Sequence, residues 1–359
     1  MKVTIVVPSL RKTGVTEVIK QLLIRNHEEK NPIDFSLIVL RDDFKANSTI
    51  FRSLVSEIHI LTGHNLITFD KISEFKKIIL KISPQVIHFH GFNAELYIPF
   101  VKKNNIIVTA HNMGIGDFKY SYGYFIGLIM SIIQKQNYKY VNKIVGVSKA
   151  VTNYYKKLGF KNVKTIENGV EIPKRIIVNK KMLNLKKPVG IYVGNIDARK
   201  NTSMLLDVFS KEKDFGTLVV VGDNPKSVKK FNLIKNKYKR RNIIFVGRVS
   251  NVYPFLCGAN YFISASKNEG LPMAAIEAMG VGLDLILSDI PQHRELKQNE
   301  NNRIYFFKND ENGLRELLVK YVEKFPCSYG KLKNKESFLK RFTASVMFEK
   351  YLKLYYQFN

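Results

Sequence analysis

Apolar residues fall in short blocks along this chain, with polar or glycine-containing stretches between them. Residues 3–7, 36–40, 86–90, 106–110 and 143–147 are such blocks. Between them, at 15–24, 74–82 and 95–101, apolar positions recur every three or four residues. A tight apolar block predicts a buried strand, and the wider spacing predicts an amphipathic helix. Alternation of the two predicts a parallel sheet covered on both faces. Residues 138–141 continue a helix into the strand at 143–147. The pattern breaks at 172–188, which carries Pro173, Pro188 and six Lys or Arg and reads as a linker. A second alternating set follows, with strands at 189–193, 217–221, 243–246, 261–264 and 283–287. Phe338, Phe342, Val346, Phe348, Tyr351 and Tyr355 then lie at helical spacing and predict a last helix over 337–356. The longest apolar region, 122–133, is interrupted by Gly123, Gly127 and Ser131. It is shorter than the ~20 residues a membrane span needs. It is expected as a core helix, with a membrane-docking helix as the alternative.

The totals change this picture in three ways. With 359 residues, 45% of them hydrophobic, the chain is globular and long enough for two domains with separate cores. Its two cysteines, Cys257 and Cys327, cannot form a disulfide framework, so a reduced compartment with two structural thiols is expected. The first apolar block ends at Pro8, too soon for a signal peptide. No Cys/His cluster has metal spacing, and no Asp-x-Asp pair follows a strand, so no metal cofactor is expected. The net charge of +28 predicts attraction to a polyanion: anionic lipid, nucleic acid or a phosphorylated substrate. No helix-turn-helix, zinc-finger or aromatic ribonucleoprotein pattern is present, so no specific nucleic-acid partner is expected. The basic segment 226–241 reads as a solvated helix face.

The most informative chemistry lies in residues 264–282, Ser-Ala-Ser-Lys-Asn-Glu-Gly-Leu-Pro-Met-Ala-Ala-Ile-Glu-Ala-Met-Gly-Val-Gly. A strand ends there and a polar loop leads to Pro272, which suits the start of a helix because its missing N–H needs no partner. The amides of Gly270, Leu271 and Met273, beside Pro272, are expected to make an anion site aided by the helix dipole. Glu269 precedes that site, and Glu277 lies about 7 Å along the helix axis. An anionic centre with hydroxyls at both ends fits this arrangement, as in a nucleotide-sugar. The stretch resembles the paired-glutamate motif of the retaining glycosyltransferases of family 4. The matching residues are Ser266, Asn268, Glu269, Gly270, Pro272, Glu277, Ala278, Met279 and Gly282.

The resemblance implies an α/β GT-B fold. Two Rossmann-like domains would present their parallel sheets to an interdomain cleft, with a C-terminal helix crossing back to the first domain. The expected boundaries are 1–171 with 337–359 for the acceptor domain, 172–188 for the linker and 189–336 for the nucleotide-sugar domain. Open parallel sheets bind ligands beyond the carboxyl ends of their strands, and each candidate below follows a predicted strand. Lys200 matches a family lysine that neutralises the donor diphosphate. Asn195 stands where the family has Arg, and the neighbouring Arg199 is the candidate replacement. Arg248, with Val249, matches a strand end beside the base. Gly14 stands in place of a two-glycine loop near phosphate or acceptor. His111 matches a histidine near the sugar and acceptor, whereas His88 and His90 read as structural. In the segment Glu167-Asn168-Gly169-Val170, Gly169 reads as a turn residue. His293 and Arg294 occupy positions where the family often has Gly-Gly, and Asp284 replaces a common Pro.

The resemblance thus implies a metal-independent hexosyltransferase. Glu277 would hold the ribose; Glu269 and the amides of 270–273 would hold the sugar and diphosphate. The donor would be a nucleoside-diphosphate sugar, UDP-sugar favoured. The acceptor would be a glycan, expected to be lipid-linked, in capsule or O-antigen synthesis. A cytoplasmic protein peripheral to the anionic inner face of the membrane is expected. Two alternatives stand beside this: a nucleotide-sugar epimerase of the same fold, and a non-catalytic nucleotide-sugar binder suggested by Asn195.

Overall fold

A computed structural model describes residues 1–30, 32–41, 45–61, 63, 67–224, 227–325 and 331–358. Lys226 and Cys327 lie outside the described residues. The chain divides into two compact units, Met1–Glu171 with Arg341–Asn359, and Ile172–Lys340.

The first unit is built on strands β1 (Lys2–Val7), β2 (Asp34–Val39), β3 (Glu57–Ile60), β4 (Val86–His90), β5 (Asn105–Ala110), β6 (Lys143–Gly146) and β7 (Val163–Thr165). Among the described residues they form one parallel sheet in the order β3-β2-β1-β4-β5-β6-β7. Ile5, Leu37, Ile87, Ile107 and Ile144 are wholly buried, which is why the central strands read as unbroken apolar runs. The second unit repeats the plan with β8 (Val189–Val193), β9 (Thr217–Val221), β10 (Ile243–Gly247), β11 (Tyr261–Ser264), β12 (Asp284–Ser288) and β13 (Ile304–Phe307). Their order is β10-β9-β8-β11-β12-β13, again all parallel. Leu205, Phe209, Leu218, Ile263, Ile286 and Leu314 centre its core. The strand order reverses between β8 and β11, the point at which open parallel sheets bind ligands beyond their strand ends.

Several elements differ from the sequence reading. β3, β7 and β13 were not predicted; each ends a sheet, and β3 and β7 are short, partly buried and mix polar with apolar residues, whereas β13 is a four-residue apolar run. The helix expected at 95–101 is two short pieces, Phe92–Glu95 and a 3-10 turn at Ile98–Phe100, because Pro99 cannot continue an α-helix. Gly14 opens a helix (Gly14–Glu28) rather than sitting in a loop. Thr13 caps it, and the Thr16 hydroxyl returns a bond from the Thr13 amide at 2.8 Å. The stretch 172–188 is no bare linker, since Met182 is buried in the second unit within the short helix Lys180–Leu183.

The single C-terminal helix is likewise two, Lys331–Arg341 and Ala344–Tyr355. Thr343 is extended and caps the second, accepting from the Val346 amide. Only that second helix lies in the first unit, where Met347, Tyr351 and Tyr355 are buried. Its approach is fixed by backbone bonds from the Val170 amide to the Phe342 carbonyl (2.9 Å) and from the Ala344 amide to the Val170 carbonyl (3.2 Å). Glu167 adds ion pairs to Arg341 (2.5 Å) and Lys350 (2.9 Å). Gly169 is required there, since a Cβ would run into the Thr343 carbonyl.

The core reading of 122–133 is overturned. Gly123, at φ +85°, separates Ile115–Tyr122 from Tyr124–Asn137, and the second helix turns its large apolar side chains to solvent. Among the described residues no helix is long and apolar enough to cross a membrane.

Candidate active site in the second unit

The site grows from the loops that leave β8 and β11. After β8 the chain turns at Gly194, whose amide donates to the Val221 carbonyl at 3.0 Å. The turn after β9 lies directly against it: a Cβ on Gly222 would run into the Gly194 carbonyl. Only glycine lets the two turns touch. The loop 195–201 is then held from within. The Tyr192 hydroxyl donates to the Asn195 carbonyl (2.5 Å), the Thr202 hydroxyl donates to Tyr192 (3.1 Å), and Asp197 accepts from the Lys200 amide (2.8 Å). After β11 the Lys267 amide donates to the Arg199 carbonyl (2.9 Å), which ties the second loop to the first.

These ties bring two cations to one carboxylate. Lys200 Nζ lies 2.5 Å from Glu269 Oε1, and Arg199 Nη1 lies 3.0 Å from Glu269 Oε2. Arg199 Nη1 also donates to the Asn268 carbonyl (3.0 Å), and the Ser266 hydroxyl donates to Glu269 (2.7 Å). Glu269 is 5% exposed. Burial by itself would raise its pKa. The charges of Lys200 and Arg199, with hydrogen bonds from Lys200 and Ser266, outweigh burial and hold the carboxyl at about 2. Arg199 is thus the second cation beside Glu269.

The scaffold under Glu269 includes residues to which the sequence reading gave no role there. Ser288 Oγ donates to the Ser266 carbonyl (2.6 Å), and Asn309 Nδ2 donates to the same oxygen (3.1 Å). His293 donates from Nδ1 to the Ser288 carbonyl (2.8 Å). Burial lowers its pKa to about 4, with Glu269 and the Ser288 carbonyl opposing, so its ring is neutral at physiological pH. His293 Nε2 is then a buried acceptor with no hydrogen-bond partner among the described residues. Only the fold brings these groups under Glu269; no spacing in the sequence marks them.

Gly270, Leu271 and Pro272 are buried and lead into the Met273–Gly280 helix, on which Glu277 is half-buried. A cavity of ≈ 10 Å³, room for about one water, is lined by Tyr192, Lys200, Ser264, Glu269, Pro272 and Ala275. Met273 and Glu277 belong to the same short helix but do not line it. Arg248 is exposed and pairs with Asp223 at 2.8 Å. Asp284 is held by Arg303 (2.5 Å) and by the Tyr321 hydroxyl (2.9 Å), an explanation for a carboxylate where the family pattern has Pro.

The remaining candidates, Gly14 and His111, lie in the first unit. Open space surrounds the position of a Cβ on Gly14. His111 follows β5 and approaches His90, with Nε2 3.0 Å from His90 Nδ1. His88 is bonded to the hydroxyls of Tyr355 (2.7 Å) and Thr109 (2.8 Å), and is structural. Burial lowers the pKa of His111 to about 4, leaving a neutral ring able to donate and to accept. Among the described residues no group of three or more His, Cys, Asp or Glu is arranged to hold a metal ion.

Two family descriptions match consecutive parts of the chain. Residues 14–173 match "Glycosyltransferase Family 4" and residues 173–327 match "Glycosyl transferases group 1". The chain is 24% identical over 309 residues to the O-antigen biosynthesis glycosyltransferase WclY of Escherichia coli, covering 82% of each. It is 38% identical over 150 residues to the capsular polysaccharide biosynthesis glycosyltransferase CapH of Staphylococcus aureus, covering 40% of this chain and 41% of that one. Anabaena HepE, solved in complex with UDP-glucose, superposes with a TM-score of 0.78 at 12% identity over 99% of this chain and 100% of that one. At that identity the likeness shows the fold alone.

Proposed function

The chain belongs to the glycosyltransferases of family 4, and from that premise we propose that it transfers a sugar, with retention, from a nucleoside-diphosphate sugar to a glycan hydroxyl. The observation that carries the reading is the clasp of Glu269 by Lys200 and Arg199, beside the amides that lead into Met273–Gly280. A diphosphate leaving group gains charge as its bond to the sugar breaks, and preorganised cations are usually a large catalytic term. Lys200 and Arg199 neutralise that charge without a metal. Glu269 and the amides of Gly270, Leu271 and Met273 hold the sugar and diphosphate, and Glu277 holds the ribose hydroxyls. Asn195 borders the diphosphate, and Arg248 borders the base.

In the step proposed, the acceptor oxygen bonds to the anomeric carbon on the face from which the diphosphate leaves. The bond from that carbon to the phosphate oxygen breaks, and the acceptor proton passes to a leaving phosphate oxygen. His111 serves the sugar and acceptor through a neutral ring, and Gly14 serves the phosphate or acceptor. UDP is favoured as the carrier because HepE was solved with UDP-glucose. The names of WclY and CapH support a surface glycan as product. The net charge of +28 supports an acceptor carried on lipid at an anionic membrane face. The second cation at Glu269 favours catalysis over a non-catalytic binder. An epimerase would convert the donor with no acceptor present.

Thermal shift with UDP, GDP, ADP and CMP, wild type beside Glu277→Ala, tests the donor site. One nucleotide should stabilise the wild type alone, by about 2.7 kcal/mol at a hundredfold excess over Kd. No shift with any of the four overturns the donor assignment. With the donor known, the anomeric proton coupling of the product reads retention, and unchanged turnover in EDTA reads metal independence.

A further inference from the structure

The Tyr124–Asn137 helix is amphipathic the wrong way round. Its inward face carries Gly127, Gln134 and Asn137, all buried. Its outward face carries Phe125 (79% exposed), Ile126 (56%), Ile129 (57%) and Ile132 (53%), flanked by Tyr122 and Tyr124. A soluble helix normally shows the reverse, with apolar residues against the core. Scattered exposed apolar residues need no explanation, but a contiguous stripe does.

The orientation is locked by specific contacts. Gln134 Nε2 donates to the buried Glu95 carboxylate (2.8 Å), and Asn137 Nδ2 donates to the Glu95 carbonyl (3.0 Å). The Tyr155 hydroxyl donates to Gln134 Oε1 (3.0 Å). Gly127 lets the helix touch the preceding one, since a Cβ would meet the Lys119 amide at 2.9 Å. Rolling the helix to bury its isoleucines would break these bonds and strand Glu95, so the apolar stripe stays outside.

We propose that this stripe docks the protein on an anionic lipid surface, the helix lying in the interface with Phe125, Ile126, Ile129 and Ile132 among the acyl chains. Charge identifies the occupant. Residues 96–166, which include this helix, hold eleven lysines and a single acid, Asp117. Lys119, Lys135 and Lys139 are exposed on or beside the helix, and Lys102 lies over the Tyr140 ring, 5.7 Å from its centre. Anionic headgroups complement such a rim, and tyrosines suit the headgroup level. A second copy would bring the same lysines face to face. At fourteen residues the helix is about 21 Å long, too short to cross a bilayer of ~30 Å. This deepens the membrane part of the proposed function and rests on it only in placing the acceptor in lipid. Vesicle binding is read without donor or acceptor, so the two stand or fall separately.

The chain contains no tryptophan, so Phe125→Trp places one reporter on the stripe. With vesicles of phosphatidylcholine and phosphatidylglycerol at low salt, its emission should shift to the blue and be quenched by brominated acyl chains. Ile177→Trp, also exposed but in the second unit, should show neither. Ile126→Ser with Ile129→Ser should weaken vesicle flotation on the order of tenfold or more, while leaving any nucleotide-induced thermal shift intact. Lys135→Glu with Lys139→Glu should weaken it on anionic vesicles and remove much of its salt dependence. The proposal is overturned if the serine variant floats as well as wild type, or if the tryptophan at 125 stays in water on bound protein. It is also overturned if the stripe instead joins two copies, seen as a dimer in sedimentation that the serine variant dissolves.

Discussion

Glu269 stays ionised at physiological pH because two cations overcome its burial, and that has a pH consequence. Its pKa falls from 4.5 to about 2 on folding. Ionised Glu269 therefore favours the folded chain above pH 4.5, and the contribution disappears as pH falls towards 2. A shift of this size corresponds to about 3 kcal/mol. Urea titration should show wild type more stable than Glu269→Gln near neutrality, with the gap closing in that acid window; a constant gap would contradict the ion-pair account. At the same site Arg199→Gln should lower kcat/KM on the order of a hundredfold. Wild-type turnover in that variant would mean that the leaving charge is met elsewhere. Glu269 and Glu277 were readable as a pair around a strand-to-helix loop through the family motif they resemble, and Lys200 through its match to a family lysine after an earlier strand. The direction of Arg199 was not legible. It is set by the Asn268 carbonyl, far along the chain, and by a loop tied through Tyr192 and Asp197.

At the scale of elements, most of the strands that carry the site were readable, because strands buried on both faces are continuous apolar runs. Edge strands β3 and β7 were missed for the opposite reason, since each is only partly buried and carries polar residues among apolar ones. The break in the C-terminal helix at Thr343 was also missed, since Phe338 to Tyr355 keep helical spacing across it. Gly169 marks what the break accomplishes: the chain after Arg341 passes too close for any side chain there. Gly169→Ala should cost on the order of 3 kcal/mol and make the last helix more sensitive to limited proteolysis. Unchanged stability would show that the chain can relax around a methyl group at that point.

For the molecule as a whole, two sheets with separate cores predict unfolding in more than one step. On the reading proposed above, the groups that hold the base and ribose of the donor nucleotide and the two cations come from the second unit. Calorimetry with the stabilising nucleotide should therefore raise one transition and leave the other near its unliganded temperature. A single transition that moves as one would show the units unfold together.

The sequence by itself determined the two parallel α/β units and the strand-to-helix loop on which Glu269 and Glu277 lie, because burial on both faces and the start of a helix at Pro272 are local constraints. Only the tertiary structure decided where Arg199 points, what braces Glu269, and which face of the Tyr124–Asn137 helix meets water. Each of those depends on a polar partner distant in sequence: Asn268 for Arg199, Ser288 and Asn309 for Ser266, and Glu95 for Gln134. Hydrophobic spacing cannot encode such pairings, and at residues 124–137 they override it.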